Sequence, residues 1–188
     1  LEALNFQKTN AALVAQNAFR KLLIGDNLFG TSASGTEKSV KAIELKDVQN
    51  YYANYYSAAT ARLTIVGDIT EAEALAKLDF LKSWSNKAVT LPAVPAFPQY
   101  ATTQVFIVDK PGAPQSQIRI GCTAMPYDFN GDYYRARLTN YMLGGAFNSR
   151  INLNLREDKG YSYGCYSYFS GNKYYGTFGA GGSVRTNA

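Results

Sequence analysis

Histidine is absent from this chain, and cysteine occurs only twice, as Cys122 and Cys165. The first absence removes the commonest metal ligand, and also the base of a Ser–His–Asp site, so Ser149 has no such partner to activate it. Catalytic zinc typically takes three protein ligands, drawn mostly from His and Cys. Two cysteines fall short of that set, and they lack the C-x-x-C spacing of redox and metal motifs. No apolar run approaches the ~18–20 residues that span a membrane. Lys and Arg form no basic run of the kind that marks nucleic-acid binding. They exceed Asp and Glu by 19 to 14, a net charge of +5. That excess fits a solvated basic surface or a site for acidic peptides. Proline is sparse at 6, and half of it sits in one place, at Pro92, Pro95 and Pro98.

What is present is an ordinary globular composition, 46 % apolar and 18 % charged. The 188 residues suffice for one good core or two modest ones. Leu4, Ala11, Ala15, Ala18 and Leu22 make a helical stripe over residues 1–24. Gly25 to Ser34 reads as a loop, and Leu45 to Tyr56 as a second helix. Ala61 to Val66 alternates and is β-branched, the pattern of a strand. Thr70 and Glu73 have the spacing of a capping box and open a third helix, Thr70 to Ser83. Thr90 to Pro98 reads as a stiff linker, because three prolines at that spacing suit neither helix nor central strand. Beyond it, Thr102 to Val108, Gln115 to Cys122 and Tyr174 to Gly179 read as strands, and Tyr133 to Leu143 as a helix. This order fits an α+β chain of two partial domains, residues 1–90 and 99–188, joined by the linker 91–98. Cys122 and Cys165 both fall on expected strands, where they could pair across neighbours or stay buried as free thiols.

The densest signal is Leu143 to Gly164, LGGAFNSRINLNLREDKGYSYG. Gly144 and Gly145 end the preceding helix. Asn148 or Ser149 can cap the next. Phe147, Ile151 and Leu155 recur at four-residue intervals, one buried face. Arg156 and Lys159 sit in the last turn, where cations suit the helix dipole, and Gly160 stands at the left-handed C-cap position. Tyr161 to Phe169 then reads as a strand. On these grounds alone Arg156 is a helix-end cation and Tyr163 a strand aromatic.

Other candidates fail. Gly30 to Gly35 has the gap of a P-loop, but Thr36 stands where the lysine belongs. The glycines at 176, 179, 181 and 182 run opposite to a dinucleotide fingerprint and fit a crowded strand. Asp128, Asp132, Glu157 and Asp158 lie near turns and helix ends, where carboxylates serve as caps and solvated charges.

The pattern L-G-G-x-F-x-S-R-I-x-x-x-L-R-E-x-x-G-x-x-Y from Leu143 to Tyr163 resembles the arginine/tyrosine segment of the insulinase, pitrilysin and mitochondrial processing peptidase family. Those are zinc metallopeptidases of the inverted H-x-x-E-H type. Three more segments precede it in family order. Gly35-Thr36-Glu37 with Ser39 is similar to its G-T-x-x-S, Leu45 to Ile69 to its helix with a Tyr-Tyr pair and V-G-D strand, and Pro114 to Gly121 to its P-Q-x-x-I-x-I-G strand. The fold implied is layers of helices on mainly antiparallel sheets.

The resemblance further implies a substrate-binding half of a zinc metalloendopeptidase, catalytically incomplete and inactive alone. In it Arg156 and Tyr163 bind the substrate carbonyl or oxyanion, with Gly144, Gly145, Ser149 and Gly160 supporting their loop and helix. The departures fit this part. There is no histidine for a metal site, and Asn27-Leu28-Phe29-Gly30 stands where active members often carry His-Pro-Tyr-Gly. Zinc, its activated water and a glutamate base would come from an H-x-x-E-H-bearing partner half. The alternative is a scaffold or peptide-binding subunit, since some relatives have lost catalysis. Leu1 in place of Met leads us to expect a chain that begins inside a longer protein. No address is visible in the residues. Bacterial relatives are often periplasmic, and mitochondrial ones lie in the matrix.

Overall fold

The computed structural model describes residues 1–187, and Ala188, the last residue of the second expected segment, lies outside them. The described residues form two compact units. One comprises residues 1–37 with the chain from 94 onward; the other is Lys38–Ala93.

The first unit is built on three antiparallel strands, β1 (Gln115–Ala124), β2 (Cys165–Gly171) and β3 (Gly176–Arg185), in the order β1-β3-β2. The β2–β3 hairpin pairs Cys165 with Gly182 and Gly171 with Gly176, while Gln115 to Ala124 pair with Arg185 to Gly176 on the other side of β3. The single stripe over residues 1–24 divides into α1 (Glu2–Thr9) and α2 (Ala11–Ile24). Asn10 takes extended angles (φ −91°, ψ 109°) and its side chain accepts the Leu13 amide, so the chain stops and re-caps there. Asparagine offers the backbone this local alternative to helix. α2 packs on β1, with Leu23 and Ile24 buried. After α2, the Phe29 ring gathers Phe97, Tyr174 and Tyr175 at 5.5–6.0 Å. On the β2 side lies α6 (Asp132–Asn140), with Tyr133 buried.

The unit Lys38–Ala93 carries most of α3 (Glu37–Ala42), then α4 (Leu45–Tyr55) and α5 (Glu71–Lys77). The Thr70–Glu73 capping box is formed: the Glu73 amide donates to the Thr70 hydroxyl and the Glu73 carboxylate accepts from the Thr70 amide. The Thr70 hydroxyl also donates to that carboxylate at 2.7 Å, and these bonds hold Glu73 below the usual carboxylate range. Tyr51, Tyr52, Tyr55 and Tyr56 stack along the end of α4 with centroids 5.0–6.3 Å apart. Ser57 is buried, its hydroxyl donating to the Lys87 carbonyl at 2.6 Å.

Several sequence expectations need correction. Residues 61–66 and 102–108 are not strands. No strand pairs with either among the described residues, and without a ladder β-branched alternation leaves the chain extended but irregular. Val66 is 93 % exposed and Ile107 90 %. The third helix ends at Lys77 and tightens into a 3₁₀ turn at Asp79–Ser83. β2 starts at Cys165, not Tyr161, because the Ser162 hydroxyl takes the Gly164 amide in a tight turn first. β3 runs to Arg185, well beyond Gly179. Cys122 and Cys165 are both free thiols, since β3 lies between their strands.

Candidate functional site

The segment between α6 and β2 holds every expected site residue. α6 widens at its end into a π turn, Tyr141–Gly145. Gly144 is buried there because the helix meets β2 closely. A Cβ on Gly144 would come within 2.2 Å of the Ser167 hydroxyl and 2.4 Å of its amide nitrogen. At Gly145 a Cβ would meet the Asn140 carbonyl at 3.2 Å. The two glycines therefore sit inside the last turn and let it approach the sheet.

α7 (Arg150–Asn152) continues as a π stretch, Leu153–Asp158. Ser149 takes the N-cap position, but its hydroxyl makes no cap bond. That oxygen is buried without a hydrogen-bond partner among the described residues. The far end is wide: the Lys159 amide reaches the Asn154 carbonyl (3.1 Å), and the Tyr161 amide the Leu155 carbonyl (2.9 Å). Gly160 closes it at φ +59°, as its position predicts, with open space where a Cβ would lie. π turns of this kind are rare and recur at functional sites.

Arg156 and Tyr163 meet across this end. The Arg156 Nη1 donates to the Tyr163 main-chain carbonyl at 2.8 Å, and its Nε lies 3.1 Å from the Glu157 carboxylate. The guanidinium sits over the Phe147 ring, 4.6 Å from its centroid. Its side chain is 36 % exposed, and it makes no other hydrogen bond among the described residues. Tyr163 is 85 % exposed. Phe147, expected on a buried helical face with Ile151 and Leu155, is instead an exposed platform under Arg156; Ile151 and Leu155 are half-buried. The arrangement offers guanidinium donors and a phenol hydroxyl on one short, hydrogen-bonded turn, suited to gripping carbonyl oxygens.

Sequence reasoning missed what holds this turn. Asn152 is 0 % exposed. Its Nδ2 donates to the Phe147 carbonyl (2.6 Å) and its Oδ1 accepts the Cys165 amide (3.1 Å). Further along β2, Asn140 donates to the Ser167 carbonyl (2.8 Å) and accepts the Ser167 hydroxyl (2.5 Å), while the Tyr133 hydroxyl donates to the Phe169 carbonyl (3.3 Å). Three side chains thus engage one strand, a way to cover a sheet edge. Only burial of polar residues carries this signal, and burial is not readable from a helical pattern alone.

No group of three or more His, Cys, Asp or Glu residues able to hold a metal occurs among the described residues. With no histidine, and with the two cysteines on strands parted by β3, zinc does not fit this chain. Among the described residues, no helix is long and apolar enough to cross a membrane.

Comparison with known proteins gives a family, two relatives and a solved structure. The model of the "Peptidase M16 inactive domain" family matches residues 42–188. The "uncharacterized zinc protease YmxG" of Bacillus subtilis is 24 % identical over 159 residues, 84 % of this chain and 37 % of the relative. The "non-peptidase homolog YmxG" of Helicobacter pylori is 24 % identical over 174 residues, 88 % of this chain and 38 % of the relative. The chain therefore spans under two fifths of the length of either relative. The crystal structure of a peptidase M16 inactive domain from Pseudomonas fluorescens superposes with a TM-score of 0.79 at 26 % identity, over 98 % of this chain and 44 % of that one.

Proposed function

Because this chain belongs to the family of peptidase M16 inactive domains, we propose that it is the substrate-clamping part of a two-half zinc endopeptidase. The catalytic half supplies the zinc, with its metal-activated water and glutamate base. This chain supplies Arg156 and Tyr163, which orient the scissile carbonyl and take up the charge that develops on its oxygen. The observation that carries the reading is the bond from the Arg156 guanidinium to the Tyr163 carbonyl (2.8 Å), which joins the family's two motif residues in one exposed turn. Arg156 retains donors beyond those used in the turn, and the Tyr163 phenol stands in solvent. Gly144, Gly145, Ser149 and Gly160 shape the segment that presents them.

The test is steady-state cleavage of an unfolded peptide by the assembled protein. Loss of one oxyanion donor typically costs about 100–1000-fold in rate, about 3–4 kcal/mol. Arg156→Ala is predicted to lose turnover on that scale, and Tyr163→Phe, which keeps the ring, to lose part of it. Turnover unchanged in both variants would refute the assignment.

A second reading is a non-catalytic scaffold or peptide-binding subunit. It is favoured by the Helicobacter pylori relative, whose name denies peptidase activity. It predicts measurable affinity for unfolded peptides and assembly with a partner, but no cleavage products under any condition.

A further inference from the structure

We propose that Asn152 is the positioning residue of the Arg156–Tyr163 clamp. This inference rests on the substrate-clamp reading and names the group that fixes its geometry. The exposed residues of the clamp cannot fix themselves by burial. Phe147 is more than half exposed and Tyr163 almost wholly so. Their relative placement must come from hydrogen bonds.

The Asn152 carboxamide supplies two of these from a fully buried position. Its donor fixes the carbonyl of Phe147, the residue whose ring lies under the Arg156 guanidinium. Its acceptor fixes the amide of Cys165, two residues beyond the Tyr163 carbonyl that Arg156 grips. Asn152 therefore joins the platform of one clamp residue to the strand start that carries the other. Alanine there would remove the bond to the Phe147 carbonyl, leave the buried Cys165 amide without its partner and untie the two ends. Ser162 holds the turn separately, by donating to the Ser183 carbonyl at 2.6 Å. The turn would then persist, with Arg156 and Tyr163 loosened against each other. Small misplacements of this kind cost about 100-fold in rate.

The experiment is a double-mutant cycle in the intact protein with its catalytic half, read as kcat and KM on an unfolded peptide. Asn152→Ala is predicted to lower kcat about 10–100-fold with little change in KM. In an Arg156→Ala background the same change should cost less than about twofold, because the placement of Arg156 against Tyr163 that Asn152 fixes no longer exists. Asn140→Ala is the control. It removes a buried asparagine that bonds the same strand at Ser167, away from the clamp, and its effect should simply add to that of Arg156→Ala.

An Asn152→Ala loss of equal size in both backgrounds, or an unchanged kcat, would overturn the proposal while leaving the clamp reading intact. Unchanged turnover in Arg156→Ala alone would overturn the clamp reading and this inference with it. Should Asn152→Ala melt below the assay temperature, Asn152→Asp enters the same cycle. It keeps the acceptor toward Cys165 and drops the donor toward Phe147. Non-additivity again supports positioning, and additivity again overturns it.

Discussion

Arg156 spends part of its guanidinium on its own turn and keeps part for other contacts, a division that individual residues around it make possible. Gly160 is needed for its backbone angle alone, since nothing lies near its missing Cβ. Gly160→Ala should therefore cost about 1–2 kcal/mol, the penalty of a left-handed alanine, as read by urea denaturation. Ser149 presents the opposite case. Its hydroxyl is buried without a partner among the described residues. An unsatisfied buried donor costs about 1–3 kcal/mol. Ser149→Ala should then leave the melting temperature unchanged or raise it. A clear fall would mean that the hydroxyl makes a bond in solution that this account lacks.

At the scale of elements, α5 gives the sharpest prediction. Its capping box is complete, and Thr70→Ala should destabilise it by about 1 kcal/mol. Glu73 is held below the ordinary 4.5 by the Thr70 hydroxyl first and the Thr70 amide second. Folding thus favours the ionised carboxylate. That contribution is complete above about pH 4.5 and is lost as pH falls through the lower folded value. Thr70→Ala should flatten this acid-side slope, measured by unfolding at stepped pH; an unaltered slope would contradict it. The capping box could be read from sequence because its chemistry is local, as could the Gly160 stop and the start of β1. Residues 61–66 and 102–108 misled because a strand is a relation between two segments, and an apolar run such as Val105, Phe106 and Ile107 names no partner. Asn10 misled differently, since one side-chain bond to Leu13 outweighed a continuous apolar stripe.

The whole molecule has two units of unequal cohesion. Residues 1–37 and 94–187 bury Leu23, Ile24, Tyr133 and Cys165 around a three-stranded sheet. Lys38–Ala93 buries Ser57 but leaves Leu45, Val48 and Leu63 exposed. Amide exchange in α4 and α5 should be faster than in β3, because local opening is easiest where few apolar groups are buried. Equal protection in the two would contradict that division. The proposed clamp residues, Arg156 and Tyr163, lie on the sheet-bearing unit, where Asn140, Asn152 and Tyr133 bond β2. Arg156 and Tyr163 are proposed as clamp residues from the resemblance of their segment in the sequence. The asparagines that bond β2 could not be found there, since their partners are backbone groups reached across the fold.

The most direct measurement is cleavage of a quenched unfolded peptide by the intact protein with its catalytic half, with and without a zinc chelator, and with Arg156→Ala. The account predicts chelator-sensitive cleavage that falls about 100–1000-fold in the variant. Cleavage that survives Arg156→Ala at full rate, or none from a complex that assembles normally, would contradict it.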